Sequence, residues 1–556
     1  MRDRLVTYSG LLVAAGALVA GVPLFLRMPP WCDLTLYDLA AQNLLRGGVH
    51  YRDIFDTNLP GFVWALTAIQ ALFGRSVEAV RAVDLAVVAA IAALLDRFSA
   101  WGGGSRGSRA WLLAGLALFY PFTSEFNHAQ RDIWMLLPSL GAVALRFKSP
   151  DYGFRAAVGQ GLLWGVAIWV KPHVLPVTVA VWACTLPTLL RQGWRVTLRD
   201  AGGLLLGGGS LGGLGVAYLV ASGTWPHFVE VFTFWNASYV FVMRQEFETR
   251  LATHLLYFPP WGYLQFVTVP LAGVNVAVGL VAGARGTLSP THSARLLLSA
   301  LYLSWTAQAV LIQRGFHYAH IDEILLLLAL GAMHRLYLGA AVAALLTATS
   351  LLILDGRVPM QNPNPAQIQL TDPHVVFIRH PLFDAERMTL WRDCFRTGLT
   401  DEAYYRRQND LATVRDLYPA NDWVQLNELA AELRRRGVTD GAVLAWEDGP
   451  HAVYRLAGVA PGFRFQHVRA MIGLGRAQEA RILAEKDAKS GLRYVVGDLR
   501  HFGYEDPTEV GDRAACGPDL LPPSLSAKAR ARYPYHLPAV YRTRQNTGRY
   551  VLFEVP

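Results

Sequence analysis

Apolar runs of roughly 17 to 25 residues, the length at which a helix crosses a bilayer, recur along this chain as far as about residue 355 and then stop. A chain so built must close its backbone hydrogen bonds within helices wherever it meets lipid. Beyond that point the sequence reads as a soluble domain. Composition agrees: 53% of the 556 residues are hydrophobic and only 17% are charged, with mean hydropathy +0.26, whereas a soluble domain carries about a quarter charged residues. A formal charge of +9 would suggest nucleic acid in a soluble protein. Here much of the arginine sits in short loops between apolar runs, the positive-inside pattern, so the expected surroundings are membrane lipids and no nucleic acid.

The runs predict a polytopic α-helical membrane protein with spans near residues 5–26, 78–96, 110–126, 133–147, 156–170, 173–190, 200–221, 261–284, 294–313, 320–336 and 337–354. The first is read as an uncleaved span, because its apolar part is long for a signal peptide and lacks a small-x-small exit. GFVWALTAIQALFG, residues 61–74, is too short to cross and is expected to re-enter or lie in the interface. With Arg2 and Arg4 holding the N-terminus in the cytoplasm, every loop on the cytoplasmic side then carries Arg. Eleven crossings place residues 356–556 outside, in the cytoplasmic (inner) membrane of a cell with an envelope.

That bookkeeping gathers ionisable residues on the outer face. WCDLTLYDLAAQNLLRGGVHYRDIFDTNLPG, residues 31–61, holds Asp33, Asp38, Asp53 and Asp56; SEFNHAQRD holds Glu125, His128 and Asp132; IWVKPHVLP holds Lys171; QRGFHYAHID holds Arg314, His317 and His320. Ionisable groups at a membrane mark function more often than chance. Asp33 is placed for general-base work or else for capping the helix that follows, and Asp132 has the same two readings. Lys171, Arg314, His317 and His320 are suited to a phosphate, or in part to snorkelling. A divalent cation is the less favoured use, because no tight acid cluster or third ligand accompanies His317 and His320. The four cysteines form no framework. Cys184 is expected in the core, and Cys394 and Cys516 are a possible pair if their domain is extracytoplasmic.

An aspartate just after the first span, then YRDIFDTNLPG and a short apolar segment ending LFG, then RDIWMLLP about a hundred residues later, resembles the GT-C superfamily of integral membrane glycosyltransferases. The order is similar to the protein O-mannosyltransferase and aminoarabinose transferase branch. That branch's middle motif carries a Lys-Pro-Pro where this chain has Asn58, Leu59 and Pro60, so one phosphate-contacting lysine is missing and Arg52 or Lys171 would replace it. FHYAH resembles the branch's His-Tyr element, without the prolines that usually follow.

The resemblance implies an inverting transfer of a hexose or pentose from a polyprenyl-phosphate donor to a glycan, protein or lipid acceptor at the outer face. Asp33 would be the base and Asp132 would assist. Lys171, Arg314 and His317 would take the leaving phosphate, while Asp53 and Asp56 would shape the loop. A transporter or flippase of a lipid-linked or small anionic substrate is the rival reading, because intramembrane charges also mark substrate pathways.

After a Pro/Asn-rich linker, VPMQNPNPAQIQ, helical stretches (DEAYYRRQNDLATVRDLY, DWVQLNELAAELRRRG) alternate with β-rich runs (AVLAWE, RYVVGD, RYVLFEVP). An α/β domain of about 200 residues is expected. VYRLAGVAPGFRF, residues 453–465, is similar to a stretch common in the family's outer domains. Support or acceptor binding are both open roles for it.

Overall fold

The computed structural model describes residues 2–354 and 380–556, apart from 243–246, 248–249, 252–253, 255–257, 314–315, 384, 414–419, 501–519, 522–524 and 526–529. The linker, Arg314 and Cys516 therefore lie outside the described residues.

Every predicted span is helical. In chain order the membrane half contains α1 (Arg2–Arg27), α2 (Cys32–Leu45), α3 (Gly61–Phe73), α4 (Val77–Trp101), α5 (Arg106–Phe119), α6 (Arg131–Lys148), α7 (Phe154–Val170), α8 (Val174–Ala183), α9 (Leu186–Gln192), α10 (Trp194–Ala221), α11 (Trp225–Glu230), α12 (Asn236–Val242), α13 (Gln265–Arg285), α14 (Pro290–Leu311), α15 (Ile321–Met333) and α16 (Leu338–Leu354). By length and composition alone four of the described helices suffice to cross a membrane, or six if the bent pairs α8–α9 and α15–α16 each count once. Of the others, α3, α5 and α7 fall short in length, at 13, 14 and 17 residues, and α4 and α6 because they carry charge. Arg81 and Asp84 are buried within α4, and Arg131, Asp132 and Arg146 within α6. Those helices can sit in lipid only because neighbours satisfy their ionisable groups. The segment at 61–74 is the 13-residue helix α3, about 20 Å long at 1.5 Å per residue and so shorter than a hydrocarbon core of about 30 Å.

Packing follows from small residues. A Cβ on Gly207 of α10 would lie 2.1 Å from the Val158 carbonyl oxygen of α7, and one on Gly161 of α7 would lie 2.3 Å from the Leu204 oxygen. Helices without a hydrophobic force between them gain van der Waals contact by such backbone approach. Cys184 is half-buried against the main apolar core.

The C-terminal half forms a four-stranded sheet, β1 (Val443–Ala445), β2 (Tyr494–Asp498), β3 (Ala539–Arg542) and β4 (Tyr550–Glu554), in the order β1-β2-β4-β3. β1 and β2 are parallel, and β4 runs antiparallel to both its neighbours. Helices at Trp423–Arg435 and Ala452–Ala457 cover one face. The other face joins Tyr51, Phe55 and Trp235 of the membrane half in a shared apolar cluster with Phe463 and Phe465. Residues 453–465 form much of this seam. Phe55 N–H donates to the Arg464 carbonyl at 2.8 Å, and the Arg464 guanidinium pairs with Glu230 at 2.8 Å and Glu485 at 2.6 Å.

Candidate active site

Five chain segments meet at one end of the helix bundle: the start of α2, the loop 51–58, the start of α6, the turn after α7, and the stretch from the end of α14 into α15. Neither aspartate suspected of capping does so. Trp31 and Gln130 are the N-caps of α2 and α6, without side-chain capping bonds, which leaves Asp33 and Asp132 in the first turns with their carboxylates directed elsewhere.

Asp132 is buried and paired. Lys171 Nζ lies 2.7 and 2.8 Å from its two oxygens, Gln313 Nε2 donates to Oδ1 at 3.0 Å, and Gln313 Oε1 accepts from Lys171 at 2.5 Å. Lys171 is buried too, with its ammonium 5.5 Å from the centre of the Tyr318 ring. Asp132, Lys171 and Gln313 thus close a three-membered network across α6, α7 and the end of α14.

Arg131, beside Asp132, is the hub of the site. Its guanidinium lies over the Tyr37 ring at 5.5 Å, within electrostatic range of Asp33, Asp56 and Tyr318. Its Nε has no hydrogen-bond partner among the described residues. Burial raises the Asp33 carboxyl above the ordinary carboxylate range, with Arg131 and Gln130 opposing the shift. A carboxylate made more basic in this way is a better proton acceptor near neutrality. Burial likewise lifts Asp56 to about 6, against the pull of Arg131. Asp56 Oδ1 accepts from Asn58 N at 3.1 Å and Asn58 Nδ2 at 2.6 Å, and Asn58 Nδ2 also reaches the Tyr37 hydroxyl at 3.1 Å.

The turn that presents Arg131 is held in an uncommon conformation. Ala129 has φ +53°, a left-handed backbone that alanine adopts at a cost of order 1 kcal/mol or more. Its N–H donates to Asp84 Oδ2 at 3.0 Å, and the same carboxylate takes Tyr120 Oη at 2.7 Å and Trp134 Nε1 at 2.8 Å. Asp84, deep in α4, therefore fixes both sides of the loop that ends in Arg131 and Asp132.

The C-terminal domain reaches the same place. His451 Nε2 is 2.9 Å from the Cys32 carbonyl oxygen, and Asp448 lies in electrostatic range of Asp33, lifted by burial to about 7.

The remaining predicted residues are placed as follows. Asp53 holds the loop: it accepts from Val49 N at 2.7 Å and pairs with Arg52 at 2.7 Å. Arg52 is exposed and spends its guanidinium on that neighbour, outside the buried cluster. Glu125 accepts three hydrogen bonds from Thr413, so it ties the C-terminal half to the bundle. His128 is core, with Nε2 2.9 Å from Thr123 Oγ1 and its ring 4.5 Å from Phe25. His320 turns to His254 and Glu323. His317 lies in the 3-10 turn His317–His320, and its side chain is outside the described residues. Arg131, Tyr37, Asn58, Gln313 and Tyr318 were not singled out from sequence. The one signal was the adjacency of Arg131 to Asp132.

No family model matches the sequence, and no curated protein matches it. Among solved structures the chain is similar to ArnT from Cupriavidus metallidurans in the apo state, with 15% identity over 98% of this chain and 97% of the other and a TM-score of 0.51. The chain shares the fold of that structure. The likeness spans both halves, so the C-terminal sheet domain belongs to it as well as the helices. The structure of the same ArnT bound to undecaprenyl phosphate aligns over the same shares with 16% identity and a TM-score of 0.49.

Proposed function

We propose that the protein transfers a sugar from a polyprenyl-phosphate donor to an acceptor at the outer face of the inner membrane, with inversion at the anomeric carbon. The reading is supported above all by one observation: Asp33 and Asp132, about a hundred residues apart in sequence, share Arg131 in a single buried cluster that also holds Lys171. In this reading the chain crosses the membrane eleven times from a cytoplasmic N-terminus, and residues 356–556 are extracytoplasmic.

Asp33 takes the proton of the acceptor hydroxyl or amine as its oxygen or nitrogen bonds to the anomeric carbon. The bond from that carbon to the phosphate oxygen breaks on the opposite side, and polyprenyl phosphate leaves with the electron pair. Cations preorganised at that oxygen stabilise the developing charge. Arg131 and Lys171 supply them, and Arg314 and His317 are assigned the same role from the sequence. Asp132 holds the Lys171 ammonium in place, so its role is positioning. Asp448 and His451 close the acceptor side against Asp33, which gives the outer domain a part in acceptor binding. The acceptor is a glycan, protein or lipid, and the donor sugar a hexose or pentose.

The test is incubation of the purified chain with radiolabelled polyprenyl-phosphate sugars, wild type against Asp33→Asn. Transfer that persists unchanged in the variant removes the base assignment. If no such donor is turned over while a lipid-linked substrate is moved across proteoliposomes, the protein is a flippase instead.

A further inference from the structure

Away from the candidate active site, two short helices wrap the C-terminal end of α1: α17 (Ala385–Asp393) and α18 (Asp401–Leu411). Leu24 of α1 is buried with Cys394 and Leu411, and Leu390 and Trp391 pack against them. Polar bonds fix the level. Trp391 Nε1 donates to the Val19 carbonyl at 2.9 Å, Arg27 Nε to the Cys394 carbonyl at 3.2 Å, and Gln408 Nε2 to the Arg27 carbonyl at 2.9 Å. α1 is long and apolar enough to cross a membrane and ends at Arg27. The two helices therefore lie where hydrocarbon gives way to lipid headgroups.

Between them opens a cavity of about 370 Å³, within the range of about 300–1,000 Å³ usual for small-ligand sites. Its charged lining is balanced: Arg396, Arg406 and Arg407 against Asp393, Glu402 and Asp410. Glu402, Arg406 and Asp410 follow one another at four-residue steps and so share a face of α18. We propose that this cavity binds the headgroup of a zwitterionic phospholipid carrying a primary ammonium, with its phosphodiester on the arginines and its ammonium on the carboxylates. The site goes beyond the transfer reaction and stands whether or not the chain moves a sugar.

The phosphate side is prepared by Arg407. It is 6% exposed, and its Nη1 donates to the carbonyl oxygens of Asp393 at 2.9 Å and Arg396 at 3.4 Å. Its Nε is buried without a hydrogen-bond partner among the described residues. Buried donors are normally satisfied, and a phosphodiester offers paired oxygens that match a guanidinium fork.

The carboxylates decide which phospholipid fits. Arg406 pairs with Glu402 at 2.6 Å and Arg396 with Asp393 at 3.4 Å, but these four side chains are 44–70% exposed. Pairs so exposed are weak, so both partners are free to turn to a ligand. An anionic lipid without an amine would set its phosphate beside three acids with nothing to neutralise them. A quaternary ammonium has no N–H to donate and favours aromatic faces, and no aromatic ring is among the described lining residues. A primary ammonium has three N–H donors, and the carboxylates accept them. The acyl chains also have a place. Phe395, between Asp393 and Arg396, is 59% exposed with its ring 4.7 Å from Trp391, and Val19 of α1 is 64% exposed. Aromatic side chains of this kind belong at a membrane interface. A lipid held here fastens the C-terminal half to the first span.

The experiment uses the full chain, delipidated in detergent and titrated with phosphatidylethanolamine, phosphatidylglycerol, phosphatidylcholine and soluble phosphoethanolamine. Bound molecules are counted by native mass spectrometry. One phosphatidylethanolamine is expected to bind about 10-fold or more tightly than either other lipid, the worth of one charge-assisted hydrogen bond. It should resist displacement by an equal concentration of phosphoethanolamine. Arg407→Gln should weaken it about 10-fold or more. Because Arg407 is buried, the exposed pair Asp393→Asn, Glu402→Gln separates binding from folding. That double variant should melt as wild type does and lose the preference for phosphatidylethanolamine over phosphatidylglycerol. Equal wild-type affinity for these two lipids would overturn the assignment, as would an unchanged preference in the double variant. Displacement by phosphoethanolamine at equal concentration would make the ligand a free headgroup and remove the lipid.

Discussion

The two ends of α6 carry one buried ion pair each, and the pairs are built differently. At the C-terminal end, Arg146 donates to Asp200 at 2.8 and 3.0 Å, to Gln160 at 2.7 Å and to Thr185 at 3.0 Å, while Asp200 also accepts from Trp182 at 2.9 Å. Neither residue has a side-chain nitrogen or oxygen atom left buried and unpartnered among those described, and of their hydrogen-bond partners Gln160 alone does, at Nε2. At the N-terminal end the Asp132–Lys171 pair is equally close, but polar atoms around it are left over: Arg131 Nε, Asp56 Oδ2 and Asp322 Oδ1 are buried without a partner among the described residues. Buried polar groups are normally satisfied, so the difference separates a structural clamp from a surface prepared for something else. Of these, Arg131 Nε is a donor that an anionic ligand would complete, and the two carboxylate oxygens call for a hydroxyl or amine donor.

The sharpest way to break that contrast is at Asp33. Asp33→Asn keeps size and removes the base, so sugar transfer should fall about 100- to 10,000-fold, the usual contribution of a general base. The thermal midpoint should be unchanged, because the carboxylate supports no packing network. The measurement is the initial transfer rate beside a melting curve. A rate within threefold of wild type would place the proton acceptor elsewhere.

Asp200→Asn should do the reverse. It leaves the Arg146 charge buried without its counter-ion, which costs about 3–5 kcal/mol where a buried pair is broken, and transfer per folded molecule should be preserved. Unfolding in denaturant reads the loss, and the double change Arg146→Met, Asp200→Leu should recover most of it. If Asp200→Asn instead lowers turnover without altering stability, the clamp reading of that end fails.

What the chain disclosed in advance follows from the same physics. Long apolar runs report on helices because lipid permits little else, and all eleven predicted stretches are helical. Carboxylates directly beside such runs stand out for the same reason, which brought Asp33 and Asp132 forward. Arg131 did not stand out, because an arginine at a membrane boundary looks like an anchor until its burial is seen. Tyr37 and Tyr318 were hidden in the same way among interfacial aromatics. Gln313 and His254 could not be found, since their partners lie far away in sequence. Asp84 shows the other limit: a lone acid in a span was invisible as the residue that shapes a loop some forty positions later. In the C-terminal domain β3 was missed because AVYR is too short to show alternation.

A third buried carboxylate extends the comparison to pH. Glu447 is hydrogen-bonded to the Tyr535 hydroxyl at 2.7 Å and to Asp498 N–H at 3.0 Å, yet burial, with Asp498 beside it, pushes it up to about 8 from an ordinary 4.5. The folded protein keeps a proton that the unfolded chain has lost, so stability declines as pH rises between about 4.5 and about 8. Below about 6.5 the buried His451 and His467, lowered to about 3 and about 4, act in the opposite sense, since only the unfolded chain gains their protons. Above about pH 7.5, where the unfolded histidines have lost nearly all their protons, the carboxyl effect stands apart. Stability of the C-terminal domain should fall there by about 1 kcal/mol per pH unit, with Asp448 adding a smaller share. Hydrogen exchange at the β2 amides reads the slope, and Glu447→Gln should flatten it.

The smallest effect is expected at Arg52, the cation that a search for phosphate ligands picks out most readily from YRDIFD. Its bond to Asp53 is short, 2.7 Å, but the side chain is about half exposed, and such pairs contribute roughly 0.2–1 kcal/mol, screened further by salt. Arg52→Ala should shift the unfolding free energy by less than about 0.5 kcal/mol, because Val49 N–H still holds Asp53 in its turn. The KM for a polyprenyl-phosphate sugar should be unchanged, whereas Lys171→Gln, which strips Asp132 of its counter-ion inside the cluster, should raise it or abolish turnover. A KM that rises in Arg52→Ala and not in Lys171→Gln would move the phosphate site from the buried end of α6 out to the exposed loop, and the contrast between the helix's two ends would lose its functional meaning.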